Sequence, residues 1–394
     1  MTIAKTKYHS WKLNELTQGC KQCVAGRKLV VFVTGICPKN CFYCPLSEEK
    51  KNHDVIFANE RQLQNENETS ALVEEAKACR AWGAGFTGGD PLVKIERTCR
   101  YIKLLKKNFE KSGKRFHIHL YTILESLTEE RLKMLEEAGL DELRVHPDIF
   151  EGKNWHKIDL LFKKSGSKKY NFHIGVEIPS IPGYEDNTRK LIDYFVPKID
   201  FLNINELEIS DTKSCELVDR KFHTKNKTSY GVKGSEEQAL RLLKYIENKY
   251  QNANVHYCTC KLKDGVQLRE RLKLRAENTK KIFDIVSDDG TIIRGVIYLH
   301  ELQPSFGYKT IIKNVTTLER KRLHGELENT RKKIVKEFSI PEKMLMVDEQ
   351  KLRIITNIGV VKKLNKHLKS MHLIPAIVEQ YPTWDQMEVD VEFL

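Results

Sequence analysis

Between residues 28 and 260 the chain alternates short apolar, β-branched runs with helical stretches, and this limits the folds open to it. Strand-like runs fall at Lys28–Thr34, Gly83–Thr87, Phe116–Thr122, Glu142–His146, Asn171–Ile178, Phe201–Glu208 and Asn254–Cys258. Helical patterns separate them, and Ser126-Leu-Thr-Glu129 reads as a capping box for a helix that Gly139 closes. A second cap is expected from Ser235 and Gln238. The stretches from Ser47 to Asn67 and from Asp211 to Gly234 read as irregular excursions. Strict alternation predicts an α/β fold, one parallel sheet covered by helices, either doubly wound or rolled into a partial or complete barrel. Beyond about residue 265 the pattern changes. A hairpin turn at Asp288-Asp-Gly290, a long charged helix at Thr317–Phe338 and further short strands predict a small α+β domain. The expected division is an N-terminal segment 1–27, a core 28–265 and an accessory domain 266–394.

Seven of the ten cysteines lie in tight groups, Cys20/Cys23, Cys37/Cys41/Cys44 and Cys258/Cys260. In a chain of 394 residues with no apolar signal segment, such grouping points to metal or redox chemistry rather than a disulfide scaffold. Cys79, Cys99 and Cys215 stand alone and read as small buried apolar residues. The C-x3-C-x2-C triplet at Cys37, Cys41 and Cys44 follows the first strand directly, where sites of parallel α/β folds form. Structural zinc takes four ligands, usually from paired knuckles, and a ferredoxin run would bring more cysteines nearby. Three thiolates on a four-iron cluster leave one iron open.

With Cys41-Phe-Tyr-Cys-Pro45 after one strand and Phe86-Thr-Gly-Gly-Asp-Pro91 after the next, the stretch 28–260 resembles the radical S-adenosylmethionine superfamily. Within it the closest likeness is to a mainly archaeal group related to the activases of pyruvate formate-lyase. The resemblance implies a parallel βα barrel and a [4Fe–4S] cluster on Cys37, Cys41 and Cys44. It implies S-adenosylmethionine on the open iron and an external ferredoxin- or flavodoxin-type electron donor. Reductive cleavage would give a 5′-deoxyadenosyl radical that abstracts hydrogen from the substrate. Tyr43 would pack near adenine, and Gly88, Gly89, Asp90 and Pro91 would cradle the methionine end. Asp90 stands where the superfamily motif has Glu. Weaker matches place Arg144, His146 and Glu177 near the cofactor.

Cys20 and Cys23 before the first strand, with Cys258 and Cys260 at the end of the last, are candidates for a second metal site. It would hold an auxiliary iron–sulfur cluster or zinc, with His256 as a fifth candidate ligand. The net charge of +13 and the basic run Lys261–Lys281 fit an RNA substrate, while the activase likeness fits a protein or peptide. No apolar run is long enough to suggest a membrane span, and a cytoplasmic enzyme is expected. The competing expectation is a non-catalytic iron–sulfur or zinc-binding adaptor that keeps the fold. The Gly88–Pro91 loop argues against it.

Overall fold

The computed structural model describes residues 2–110, 114–305, 308, 312 and 314–394. The chain divides into two compact units, Met1–Arg271 and Leu272–Leu394.

The first unit opens with β1 (Ala4–Lys5), β2 (Trp11–Leu13) and α1 (Gln18–Val24). There follow β3 (Lys28–Phe32), β4 (Ile56–Ala58), β5 (Arg61–Leu63), α2 (Ser70–Ala78) and β6 (Gly83–Thr87). The series continues with α3 (Ile95–Phe109), β7 (His117–Ile123), α4 (Glu129–Ala138), β8 (Glu142–His146) and β9 (His173–Ser180). It closes with α5 (Glu185–Phe195), β10 (Phe201–Glu206), β11 (Thr224–Asn226), β12 (Ser229–Val232), α6 (Ser235–Lys249) and β13 (Val255–Cys258). Strands β3, β6, β7, β8, β9, β10 and β13 are parallel and lie side by side in chain order. Each strand is paired with the next along the chain, as the alternation predicts.

β3 and β13 do not pair with each other. The antiparallel β4–β5 hairpin lies beside β3, and β2 then β1 lie beside β13, giving an 11-stranded sheet. The partial barrel is therefore the version that forms, and residues from the first 27 complete one edge. The stretch read as irregular holds the β4–β5 hairpin. Its strands have three residues each, too short for a period-2 pattern to show. The Asp211–Gly234 stretch likewise holds the β11–β12 hairpin.

Side chains alternate across a strand, and the two faces here differ in kind. Leu29, Val31, Phe86, Ile118, Leu120, Leu143, Val145, Ile174, Val176, Leu202, Ile204 and Tyr257 are fully or almost fully buried in one apolar core with the helices. Each such aliphatic side chain contributes about 1.5–3 kcal/mol by leaving water. The intervening positions face the barrel interior, and many of them are polar: Lys28, His117, His119, Glu142, Arg144, Glu177, Asn203 and His256. All but Glu177 are less than a tenth exposed. Helix α1 lies over this interior face. Its Gly19 sits so close to His119, Glu142 and Arg144 that no side chain would fit there.

Two expected caps are placed differently. Thr128, not Ser126, caps α4 by accepting from Arg131 N, while Ser126 turns to Asp90. Gly139 does end that helix, at φ 91°. Gly234 precedes α6, and Ser235 donates to Ser180 O instead of capping.

The second unit holds β14 (Ile285–Val286), β15 (Ile292–Leu299), α7 (Thr317–Phe338), β16 (Leu345–Asp348), β17 (Arg353–Thr356), α8 (Ile358–Ser370), β18 (Leu373–Gln380) and β19 (Glu388–Phe393). Its strands form a six-stranded antiparallel sheet. The α+β expectation is met. Its core is apolar around one fully buried cation, Arg353, which donates to Asp348, Glu388 and Gln380.

Candidate functional site

The cysteine loop leaves the carboxyl end of β3 and is held by backbone hydrogen bonds on both flanks. Val33 N donates to Thr87 O at 2.9 Å, Gly35 N to His53 O at 2.9 Å, Gly89 N to Thr34 O at 2.7 Å and Asp90 N to Ile36 O at 2.9 Å. Arg97 adds a side-chain bond to Val33 O at 3.0 Å and is itself fixed by Asp54 and Glu66. These contacts explain the glycines. A Cβ on Gly88 would run into Thr34 O, one on Gly89 into Ile36 O and one on Gly35 into Lys50 O. Gly88 also has φ 143°, where side chains are rarely found. The pair thus lets two protein loops meet, whereas the sequence suggested only close approach to a bound amino acid.

Cys37, Cys41, Tyr43, Cys44, Gly88 and Gly89 line one cavity of about 540 Å³. Burial pushes the Cys37 thiol up to about 11, with the Lys39 N–H pulling the other way, and burial raises Cys41 as well. Tyr43 donates to His146 Nε2 at 2.8 Å, and His146 Nδ1 donates to Glu177 O at 2.8 Å. That chain sets the histidine tautomer and fixes the Tyr43 ring beside the loop. Lone Cys215 lies across a backbone bridge from Tyr43.

Asp90 and Pro91 do not line the cavity. The Asp90 carboxylate is fully buried and accepts from Leu92 N at 3.2 Å, Thr122 Oγ1 at 2.7 Å and Ser126 Oγ. Burial raises its pKa against those three bonds. Its place is behind the glycine loop, tying it to β7 and the turn before α4.

Arg144 and Glu177 do reach the cavity, but each is held by other protein groups. Arg144 pairs with Glu142 at 2.6 Å and Glu177 at 2.8 Å, and also meets Tyr121 and Thr17. Asn203 and Asn205 each donate to Glu177 at 2.9 Å. Burial would raise Glu177, but Arg144 and the two asparagines outweigh it and keep the carboxylate ionised.

The sequence reading missed Lys28 and His119. Lys28 Nζ meets Gly19 O at 2.7 Å, His119 Nδ1 at 2.9 Å and Cys23 Sγ at 3.1 Å. Burial, then Lys28, holds His119 well below its usual range, so it is a neutral acceptor. A signal was present: charged residues at interior positions of central parallel strands are unusual, because such strands are ordinarily apolar throughout.

The second cysteine set is only partly brought together. Cys20 Sγ lies 3.5 Å from an Arg144 nitrogen and 3.6 Å from Asn203 Nδ2. Burial raises its thiol, but Arg144 and His256 more than reverse this and bring it down to about 6. Cys23 lines the cavity beside Lys28. Cys20 and Cys23 are both close enough to Cys258 to act on its charge. Cys260 faces elsewhere: its N–H donates to Glu206 at 2.8 Å, and Glu208 and Glu206 are the charges nearest its thiol.

Among the described residues no helix is long and apolar enough to cross a membrane. No group of three or more His, Cys, Asp or Glu among them is arranged to hold a metal ion. Cys37, Cys41 and Cys44 are no exception. Sulfurs that each take a separate corner of a four-iron cube need not converge on one point, and three thiols on one cavity-lining loop suit that cube.

A family model of the radical SAM superfamily matches residues 31–195, and one described as a domain of unknown function matches residues 290–394. A protein of Methanocaldococcus jannaschii, described as a candidate glycyl-radical enzyme activating enzyme, is 46% identical over 294 residues. That match covers 74% of this chain and 76% of the relative. Among solved structures, native anSMEcpe with bound AdoMet and Kp18Cys peptide has a TM-score of 0.40 at 16% identity, covering 67% of this chain and 73% of that one. Coproporphyrinogen III oxidase of Escherichia coli has a TM-score of 0.33 at 13% identity, covering 64% and 59%. With the cysteine and glycine loops meeting at one cavity, and a relative this similar along most of both chains, the protein belongs to the radical S-adenosylmethionine superfamily of enzymes, whose cofactors are a [4Fe–4S] cluster and S-adenosylmethionine.

Proposed function

We propose that this enzyme uses a 5′-deoxyadenosyl radical to take a hydrogen atom from an unreactive C–H bond of a protein or peptide. The observation that carries the reading is one cavity shared by Cys37, Cys41, Cys44 and the Gly88–Gly89 backbone. When bound, the cluster and S-adenosylmethionine supply the one-electron cleavage of a carbon–sulfur bond. The chain's own residues hold and orient. Cys37, Cys41 and Cys44 are the iron ligands, and Tyr43, fixed by His146, forms one wall beside them. Gly88 and Gly89 present backbone to the cofactor, and Asp90 keeps that backbone in place from behind. The Arg144–Glu177 pair forms a charged but internally neutralised wall that excludes water at little electrostatic cost. A ferredoxin- or flavodoxin-type protein supplies the electron.

The activating-enzyme description of the M. jannaschii relative supports a peptide Cα–H as the target. RNA is the competing substrate class, suggested by the net charge of +13. Peptides carrying α-dideuterated glycine separate the two. Deuterium recovered in 5′-deoxyadenosine, from anaerobic protein with reductant and S-adenosylmethionine, is the expected result. Label recovered only from ribose-deuterated RNA would replace the peptide reading. No 5′-deoxyadenosine at all, with the cluster intact, would leave the adaptor.

A further inference from the structure

The barrel interior contains a second group of sulfur and nitrogen ligands that the reaction above does not use. We propose that Cys20, Cys23, Cys258 and His256 hold a second iron–sulfur cluster in the barrel interior, where α1 meets β13. The inference stands on geometry of its own and does not rest on the proposed substrate.

Two local periodicities bring the four residues to one place. Cys20 and Cys23 are three apart on α1, which puts both on one helix face. His256 and Cys258 are two apart on β13, which puts both on one face of the strand. Those faces meet: Cys20 Sγ lies 3.6 Å from Asn203 Nδ2, whose register partner on β13 is His256, and Val24 of α1 packs in one cluster with Cys258.

His256 points to a missing ligand. It is 4% exposed, and its Nδ1 has no hydrogen-bond partner. Its Nε2 lies 3.1 Å from Ser10 Oγ. With Nε2–H donated to that hydroxyl, Nδ1 is a nitrogen lone pair without a partner among the described residues. Buried polar atoms are seldom left so, and metal-bound histidines ordinarily donate their other nitrogen in this way.

The sulfurs are surrounded by donors suited to anionic, metal-bound thiolates. Lys28 is a buried ammonium whose contacts among the described residues are Gly19 O, His119 and Cys23 Sγ, none of them a carboxylate. Arg144 and Asn203 Nδ2 approach Cys20, and Gln267 Nε2 lies 3.9 Å from Cys258 Sγ. Hydrogen bonds to the sulfurs are one of the means by which proteins tune iron–sulfur clusters. A side cavity of about 130 Å³, lined by Cys23, Lys28, Lys263 and Gln267, lies beside Cys23.

Three cysteines and a histidine also serve zinc. The count of iron, sulfide and zinc below separates the two. Cys260, turned to Glu206, is excluded from the set.

The test counts iron, acid-labile sulfide and zinc on the full chain purified without oxygen. About eight irons and eight sulfides per chain are expected, falling to about four in C20A/C23A. C37A/C41A/C44A should keep about four, with a reduced-cluster EPR signal that S-adenosylmethionine does not shift. Wild type with about four irons, all lost in C37A/C41A/C44A, would overturn the proposal. So would one zinc per chain that is lost in C20A/C23A. The wild-type count needs no substitution, so a misfolded variant cannot hide a negative result. If C37A/C41A/C44A kept the full wild-type iron, the second site would stand and the first would fall.

Discussion

At the carboxyl end of β3 the cysteine loop is held largely by backbone bonds, to Thr87, His53, Gly89 and Asp90. Elsewhere along the same cavity the structure is held by charged side chains, Lys28 against His119 and Arg144 between Glu142 and Glu177. Both regions line one cavity, but they are held in different ways. Backbone clamping leaves the three thiols free for a cofactor. Side-chain clamping leaves the other region rigid but dependent on charge state. The two regions should therefore respond differently to substitution and to pH.

The largest contrast is expected from C41A, which should abolish 5′-deoxyadenosine formation while leaving the thermal unfolding midpoint nearly unchanged. In the charged region, R144M should do the reverse first. It strands Glu142 and Glu177 in the interior, and a loss of about 3–5 kcal/mol is expected in urea unfolding. If R144M unfolds like the wild type, the charged interior does not hold the barrel.

Acid should weaken the interior through its buried histidines. Burial brings His117 down to about 4, below the ~6.5 of an unfolded histidine. Its contribution is complete above pH ~6.5 and is lost as pH falls through 4, a total of about 3 kcal/mol. His119 and His146 are shifted the same way, while Asp90, shifted up, acts in the opposite sense. Urea midpoints at pH 7 and pH 5 should therefore differ, and by less in H117N. Equal slopes for H117N and wild type would remove His117 from the account.

Smaller effects belong to the glycine loop. G88A forces a side chain into φ 143° and against Thr34 O, costing about 1–3 kcal/mol or more and loosening the cysteine loop. D90N keeps the shape of a buried residue that does not touch the cavity. Its KM for S-adenosylmethionine should rise no more than about tenfold, ~1.4 kcal/mol. A far larger rise would return Asp90 to the cofactor's contact surface.

What the sequence revealed follows the same division. The cysteine loop was legible because its determinants are local: Leu29–Val33 spells a strand, and the cysteine and glycine motifs follow their strands at short range. The long-range pairings were not, because Lys28 finds His119 91 residues away and Asp90 finds Ser126 36 residues away. No spacing rule encodes such pairs. Ser126 shows the cost of reading locally, since its position before Glu129 fits a cap and its hydroxyl is spent on Asp90. The alternation itself, with Lys28, Glu142 and Arg144 at inward positions, was the one available hint of a polar interior.

The most direct test is the EPR spectrum of the reduced, anaerobic protein with and without S-adenosylmethionine. Addition should shift the signal in wild type and in C20A/C23A alike, and C41A should show no shift. A wild-type cluster whose spectrum is indifferent to S-adenosylmethionine would contradict an open iron at Cys37, Cys41 and Cys44.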